Sequence, residues 1–164
     1  MRRHHTHPAP SSSPLLVAGP AEIFAALMAG HQVGDHITQT DHQAARKADP
    51  GRAGWSAMAG HVAGYTATQA VALVGLRAAG YRVRPGRALA GLAFSAGTHA
   101  FIDRRWPVQW LLRHTGSPQF AATTTPVCGP YVVDQSLHTA AVFTASLVTG
   151  GARRRDAGAP GGRG

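Results

Sequence analysis

The stretch AGWSAMAGHVAGYTATQAVALVGL, residues 53–76, runs for 24 positions without Asp, Glu, Lys or Arg. It is rich in Ala, Gly, Thr and Ser, and its apolar pattern predicts a helix from about Gly54 to Ala79, with Gly80 as a C-cap. Three further helical segments follow from it in both directions. One spans about Pro20 to His42, with proline at the first turn and Glu22 placed to complement the helix dipole. Another covers about Arg87 to Trp106, stopped by Pro107. The last runs from about Pro130 to Thr149, ended by Gly150-Gly151. A longer connection separates the last two; it holds the apolar stretch Val108–Leu112 and the Thr/Pro-rich segment 116–129. No repeat or strand alternation of useful length is present. The predicted fold class is all-α, a four-helix up-down bundle, the default arrangement when connections are short.

Residues 53–76 are long enough to cross a bilayer. Gln135–Ala152 is similarly uncharged, and Gly60/Gly64 offers a close helix contact. The expectation is therefore a membrane-associated protein at the inner (cytoplasmic) membrane, with lipid as a partner. Arginines flank every connection, so the distribution of positive charge assigns no orientation. Trp55, Trp106 and Trp110 fall near helix ends, as in an interfacial belt or at ordinary core edges.

At 164 residues the chain holds one domain. Residues 1–14 (MRRHHTHPAPSSSP) and 150–164 (GGARRRDAGAPGGRG) read as disordered basic tails around a helical domain at 15–149. His4, His5 and His7 fit a loose tail better than a metal site. The net charge is +9, and the tails carry five of those charges, through six arginines less Asp156. Fifteen arginines to one lysine, with abundant Ala and Gly, look like a coding bias. The tails suit nucleic acid, but no aromatic–basic interleaving accompanies them, so that partner is not favoured. The lone Cys128 excludes an intrachain disulfide and any multi-cysteine zinc site. Pro14, Pro20 and Glu22 interrupt the N-terminal apolar run, which predicts no cleavable signal peptide.

The chemistry lies in a second pattern. Of seven acidic residues, three sit within the apolar helical segments, each four residues from a histidine: His31/Asp35, His99/Asp103 and Asp134/His138. That interval is one helical turn, so each pair presents an imidazole and a carboxylate on one face. His61 and Tyr65 repeat the interval. If the helices alternate in direction, all four sets fall about 7–10 Å below one end of the bundle, at roughly 1.5 Å per residue. A carboxylate buried alone is heavily penalised, so an interior Asp has to be ion-paired, hydrogen-bonded or metal-bound. Neutral imidazole and anionic oxygen donors suit a divalent Zn, Mn or Fe ion. The metal-ligand candidates are His31, Asp35, His61, His99, Asp103, Asp134 and His138.

Asp35 is the candidate general base for a water activated by the metal, and Gln39, one turn beyond it, either contacts a polar group of the substrate or caps the helix end. Gln135 points about 100° from Asp134 and serves a neighbouring helix. His36, His42 and His114 have no paired acid and belong on the surface. The expectation is a metal-dependent hydrolase acting on a phosphoester. The alternative is a non-enzymatic helical membrane or adaptor protein, with the Asp–His pairs as structural clamps.

The segments HQVGDHITQTD (31–41), GHVAGY (60–65), THAFID (98–103) and VDQSLH (133–138) together resemble the bacterial and phage family labelled domain of unknown function 3307. The resemblance covers about residues 27–149. It implies a small multi-helix protein, often membrane-associated and carried by phages or mobile elements. More distantly the set is similar to membrane-bound metal-dependent hydrolases. The low aliphatic content, basic tails and Thr/Pro-rich connection depart from that pattern. The resemblance implies an architecture and a motif, not a substrate.

Overall fold

A computed structural model describes residues 16–115 and 118–151, so the expected tails, apart from Gly150 and Gly151 at the end of the last helix, lie outside the described residues with all of their histidines and arginines. The chain is mostly helical. In order it forms β1 (Leu16–Val17), α1 (Pro20–His36), α2 (Asp41–Arg46), α3 (Gly51–Ala78), β2 (Tyr81–Arg82), α4 (Pro85–Asp103), α5 (Trp106–His114), a short 3-10 turn at Phe120–Ala122, and α6 (Gly129–Gly150). The four long helices α1, α3, α4 and α6 match the expected segments.

The differences lie at their ends. The first helix stops at His36 rather than His42, because Thr40 caps a new one: its Oγ1 accepts from the Gln43 N–H, and the Gln43 Oε1 accepts from the Thr40 N–H. The third ends at Asp103, ahead of Pro107. That proline sits instead in the first turn of α5, where its missing N–H costs nothing. The apolar stretch Val108–Leu112 is thus a helix rather than part of an irregular connection. β1 and β2 form one short parallel pair, Leu16 with Tyr81 and Val17 with Arg82.

Along α1 and α3, Leu27 meets Gln69 while Gly34 meets Tyr65. The approach is close because Gly30 and Gly34 lack side chains: a Cβ on Gly30 would lie 2.6 Å from the Gln69 Cα, and one on Gly34 2.9 Å from the Tyr65 Cα. Gly60 and Gly64, the expected contact pair, instead face the Gln43 and Thr38 side chains. Across α1 and α6, Phe24 packs edge-on against Phe143, and His36 bonds Tyr131.

Two apolar clusters form the core. One joins Ala18, Ile23, Leu27, Leu73, Val83, Val142 and Ala145 at the β1–β2 end. The other places Ile102, Val108 and Leu112 against the 3-10 turn and α6. Between them lies a polar layer.

The membrane expectation is corrected by this architecture. Among the described residues no helix is long and apolar enough to cross a membrane. The uncharged segments 53–76 and 135–152 owe their lack of charge to Ala, Gly, Thr and Ser rather than to Leu or Ile. The face of α3 that is fully buried carries His61, Tyr65 and Gln69, which bond other helices, while Trp55, Val71 and Val74 are exposed. Placement at the inner membrane and the transmembrane helices are therefore withdrawn.

Candidate metal centre

The polar layer is built by turns of the four long helices that face one another. Asp35 lies one residue from the end of α1, His61 within α3, Asp103 at the last residue of α4, and Asp134 and His138 in the first half of α6. Six of the seven predicted ligands are nearly inaccessible: His31, His61, His99 and His138 at 0–1% exposure, Asp103 at 4% and Asp35 at 6%. Asp134 is half-buried.

Four of them converge on one point. The Nε2 atoms of His61 and His99 are 2.8 Å apart. The Asp103 Oδ2 lies 3.0 Å from His61 Nε2 and 3.1 Å from His99 Nε2. The Asp35 Oδ1 lies 3.3 and 3.7 Å from the same two nitrogens. A tetrahedral ion bound at about 2.0–2.2 Å has ligands about 3.3–3.6 Å apart. The separations run from 2.8 to 3.7 Å, three of the five shorter than that range, so the quartet Asp35, His61, His99 and Asp103 comes close to the size of a tetrahedral divalent site and would open slightly around an ion. Asp35 Oδ1 and Asp103 Oδ2 have no well-directed hydrogen bond. They point between the donors rather than along any one of them.

Around this quartet the neighbours fix orientation. The Tyr65 ring stacks on His99 with centroids 3.7 Å apart, and its hydroxyl meets Ser95 Oγ at 2.8 Å and accepts from Gln69 Nε2 at 2.9 Å. Gln135 bridges helices as its helical position implied: its Nε2 donates to Asp35 Oδ2 and Asp134 Oδ2, and its Oε1 lies 3.4 Å from His31 Nε2. His31 packs against His138 and His99 but does not join the quartet. Gln39 donates to the Asp35 backbone carbonyl, which leaves its buried Oε1 without a partner. His36, His42 and His114 are exposed as expected, and so is Cys128.

Lys47 is the residue the sequence pattern did not single out. Its Nζ lies 2.8 Å from Asp103 Oδ2, 3.2 Å from His61 Nε2 and 3.6 Å from Asp35 Oδ1, with the residue 8% exposed. Its segment is clasped by Arg104, which donates to the carbonyls of Lys47 and Asp49, and by Arg105, which donates to Ala44. The signal was present: Lys47 is the single lysine beside fifteen arginines, and its ammonium is a compact point charge rather than a planar fork.

The charges shape one another. Burial alone would raise the Asp35 and Asp103 carboxyls. The imidazoles close by (His61 beside Asp35; His138, His61 and His99 beside Asp103), with Lys47 beside Asp35, outweigh it and hold both well below the usual carboxylate range. Burial depresses His99 to about 4 despite Asp103. It also works against His61, but the two carboxylates prevail there and raise its pKa. Asp134 is pushed up by burial and by the neighbouring carboxylates, although His138 opposes this. Burial lowers His31 and lifts the Tyr65 hydroxyl to about 12. Asp35, expected as the base, is therefore a poor proton acceptor and a good ligand; Asp134 is the better acceptor.

A cavity of about 440 Å³ opens on this layer, lined among others by Asp35, Gln39, Lys47, Asp103, Asp134 and Gln135. Arg105, on its rim, adopts a left-handed backbone with φ of 63°. No family model matches the chain, and neither a curated protein nor a solved structure matches it.

Proposed function

We propose that the chain is a metal-dependent hydrolase, with a phosphoester-type substrate, whose four long helices act as an up-down bundle presenting a His/Asp centre to a cavity. The observation that carries this reading is the quartet of two imidazoles and two carboxylates close to tetrahedral-site separations, beneath an open cavity. A divalent ion held there would supply Lewis acidity toward a phosphoryl oxygen and toward water. The chain's own groups then have separate tasks. Asp35, His61, His99 and Asp103 hold the cation. Gln39, with its free Oε1, and Gln135 orient the substrate's polar groups. Asp134, on the cavity wall, positions the attacking water. The resemblance to domain 3307 points to no substrate, so the phosphoester rests on donor chemistry alone.

Elemental analysis of purified protein, paired with hydrolysis of bis(p-nitrophenyl) phosphate, tests this. Bound Zn or Mn, and turnover lost in His99→Ala together with the metal, are expected. Metal-free protein without turnover after reconstitution would refute it. A second reading is favoured by Lys47, whose ammonium already offsets the two buried carboxylates. On that reading the Asp–His–Lys network is a helix clamp in a non-enzymatic adaptor. It predicts that His99→Ala lowers the melting temperature by the same amount with and without added metal.

A further inference from the structure

Asp103 uses only one of its oxygens in the quartet. The other, Oδ1, lies 3.5 Å from His138 Nε2, which in turn lies 3.6 Å from Asp134 Oδ2. The ligand atoms of these three residues all fall within 4.8 Å of one another. Separations near 3.5 Å match a divalent ion bound at about 2.1–2.2 Å. His138 is 1% exposed and its Nε2 has no hydrogen-bond partner, although it is aimed between two carboxylates. An unsatisfied buried nitrogen is costly, and a cation at this point would satisfy it while neutralising the acids.

We propose that Asp103, Asp134 and His138 form a second divalent-cation site, joined to the quartet through the Asp103 carboxylate. The inference rests on the metal-centre reading above. A carboxylate sharing its two oxygens between two ions holds them about 3.5–4 Å apart, the spacing of two-metal phosphoester sites. The two sites are not equivalent. The quartet has four protein ligands, whereas the Asp103–Asp134–His138 site has three, which leaves it more positions for water or a substrate oxygen. Asp134 lines the cavity, so those positions open toward it. The second ion would accordingly meet the substrate beside the first. Its oxygen-rich donor set also accepts Mn(II) more readily than the quartet does.

The test uses full-length protein stripped with chelator and reconstituted with Mn(II), followed by elemental analysis and electron paramagnetic resonance. Wild type is expected to hold two Mn per chain with an exchange-coupled spectrum. Asp134→Asn and His138→Gln should hold one, with the six-line signal of an isolated ion. Asp134 is 22% exposed, so its variant is the one expected to keep the fold if His138→Gln does not. One Mn in the wild type, unchanged in Asp134→Asn, would overturn the second site and leave the quartet standing. Two uncoupled ions would also overturn it, by placing the second one elsewhere. No Mn or Zn in the wild type would overturn the metal centre as well.

Discussion

Lys47→Met separates the two roles of the polar layer, because one side chain serves as the cation for two buried carboxylates. In metal-free protein the substitution leaves Asp35 and Asp103, at 6% and 4% exposure, without their ammonium at 3.6 and 2.8 Å. Breaking a buried ion pair from one side costs about 3–5 kcal/mol. For a domain of this size that lowers the melting temperature by roughly 10–15 °C. The effect on metal binding has the opposite sign. An ion among Asp35, His61, His99 and Asp103 would face the Lys47 ammonium at roughly 3–4 Å, where repulsion is several kcal/mol even at an effective dielectric of about 20. In wild type Lys47 would have to leave for the ion to enter, so each binding event would forfeit the Lys47–carboxylate interaction. The methionine variant has no such cost. Its zinc affinity should rise at least 100-fold, since about 1.4 kcal/mol corresponds to tenfold. Thermal melts in chelator, and a competition titration with a chromophoric chelator, read both effects. A variant that melts within about 2 °C of wild type without metal, or binds zinc no more tightly, refutes the reasoning.

Acid should destabilise the metal-free protein through His99. Its pKa is about 4 in the folded chain against 6.5 in the unfolded one, so the unfolded state takes the proton first. Stability is then whole above pH 6.5 and falls by up to about 3 kcal/mol on the way to pH 4. His61, raised by its carboxylates, works in the other direction over its own range. His99→Gln should show a shallower decline in melting temperature between pH 7 and 4.5; parallel curves would remove His99 as the cause. Gly34→Ala puts a Cβ 2.9 Å from the Tyr65 Cα and should cost about 1–3 kcal/mol by forcing α1 off α3, whereas Gly97→Ala meets nothing within 4 Å and should be neutral or stabilising. Urea denaturation of the two variants compares them directly. Tyr65→Phe strands Ser95 and Gln69 at a cost of about 1–3 kcal/mol. Its metal content, by elemental analysis, should stay that of wild type.

The helical class and the His/Asp layer were both legible in the chain, for the same reason. Residues four apart share a helix face, so a buried face announces its chemistry at that interval. The pairs His99/Asp103 and Asp134/His138 do lie within contact distance. His31 and Asp35 share a buried face, yet Asp35 joins the quartet while His31 turns to Gln135. What one helix cannot reveal is the rotation of its neighbours, which decides which member of a pair reaches the centre. Lys47 was not legible because it caps the end of the short helix α2, within what the sequence reads as the connection after His42. The Thr40/Gln43 capping box that starts α2 was visible as Thr-x-x-Gln, but the apolar periodicity on either side drew attention away from it. The membrane expectation failed on a different point. Absence of charge was read as apolarity, although Ala, Gly, Thr and Ser supply small volume and hydrogen bonds rather than hydrocarbon.

The charges in the layer bear on why a small domain tolerates it between two apolar clusters. Without metal, the depressed carboxyls of Asp35 and Asp103 remain anionic. Lys47 supplies one positive charge, and the two carboxylates favour a second on His61 by raising its pKa. With His61 protonated, those four charges would sum to zero. With a divalent ion in the quartet, Lys47 is displaced and His61 must be neutral to bind, and two carboxylates against one doubly charged ion again sum to zero. Burying a net charge is what low dielectric punishes most, so two arrangements of equal net charge can occupy the same fold with little repacking. The difference between them is then confined to where Lys47 sits, at the end of a short segment held by backbone bonds from Arg104 and Arg105. A purely structural clamp has no use for that mobility, since an arginine forked onto Asp103 would hold the helices more firmly. A lone lysine at the mouth of a cavity is what a centre that exchanges an internal cation for an external one would keep.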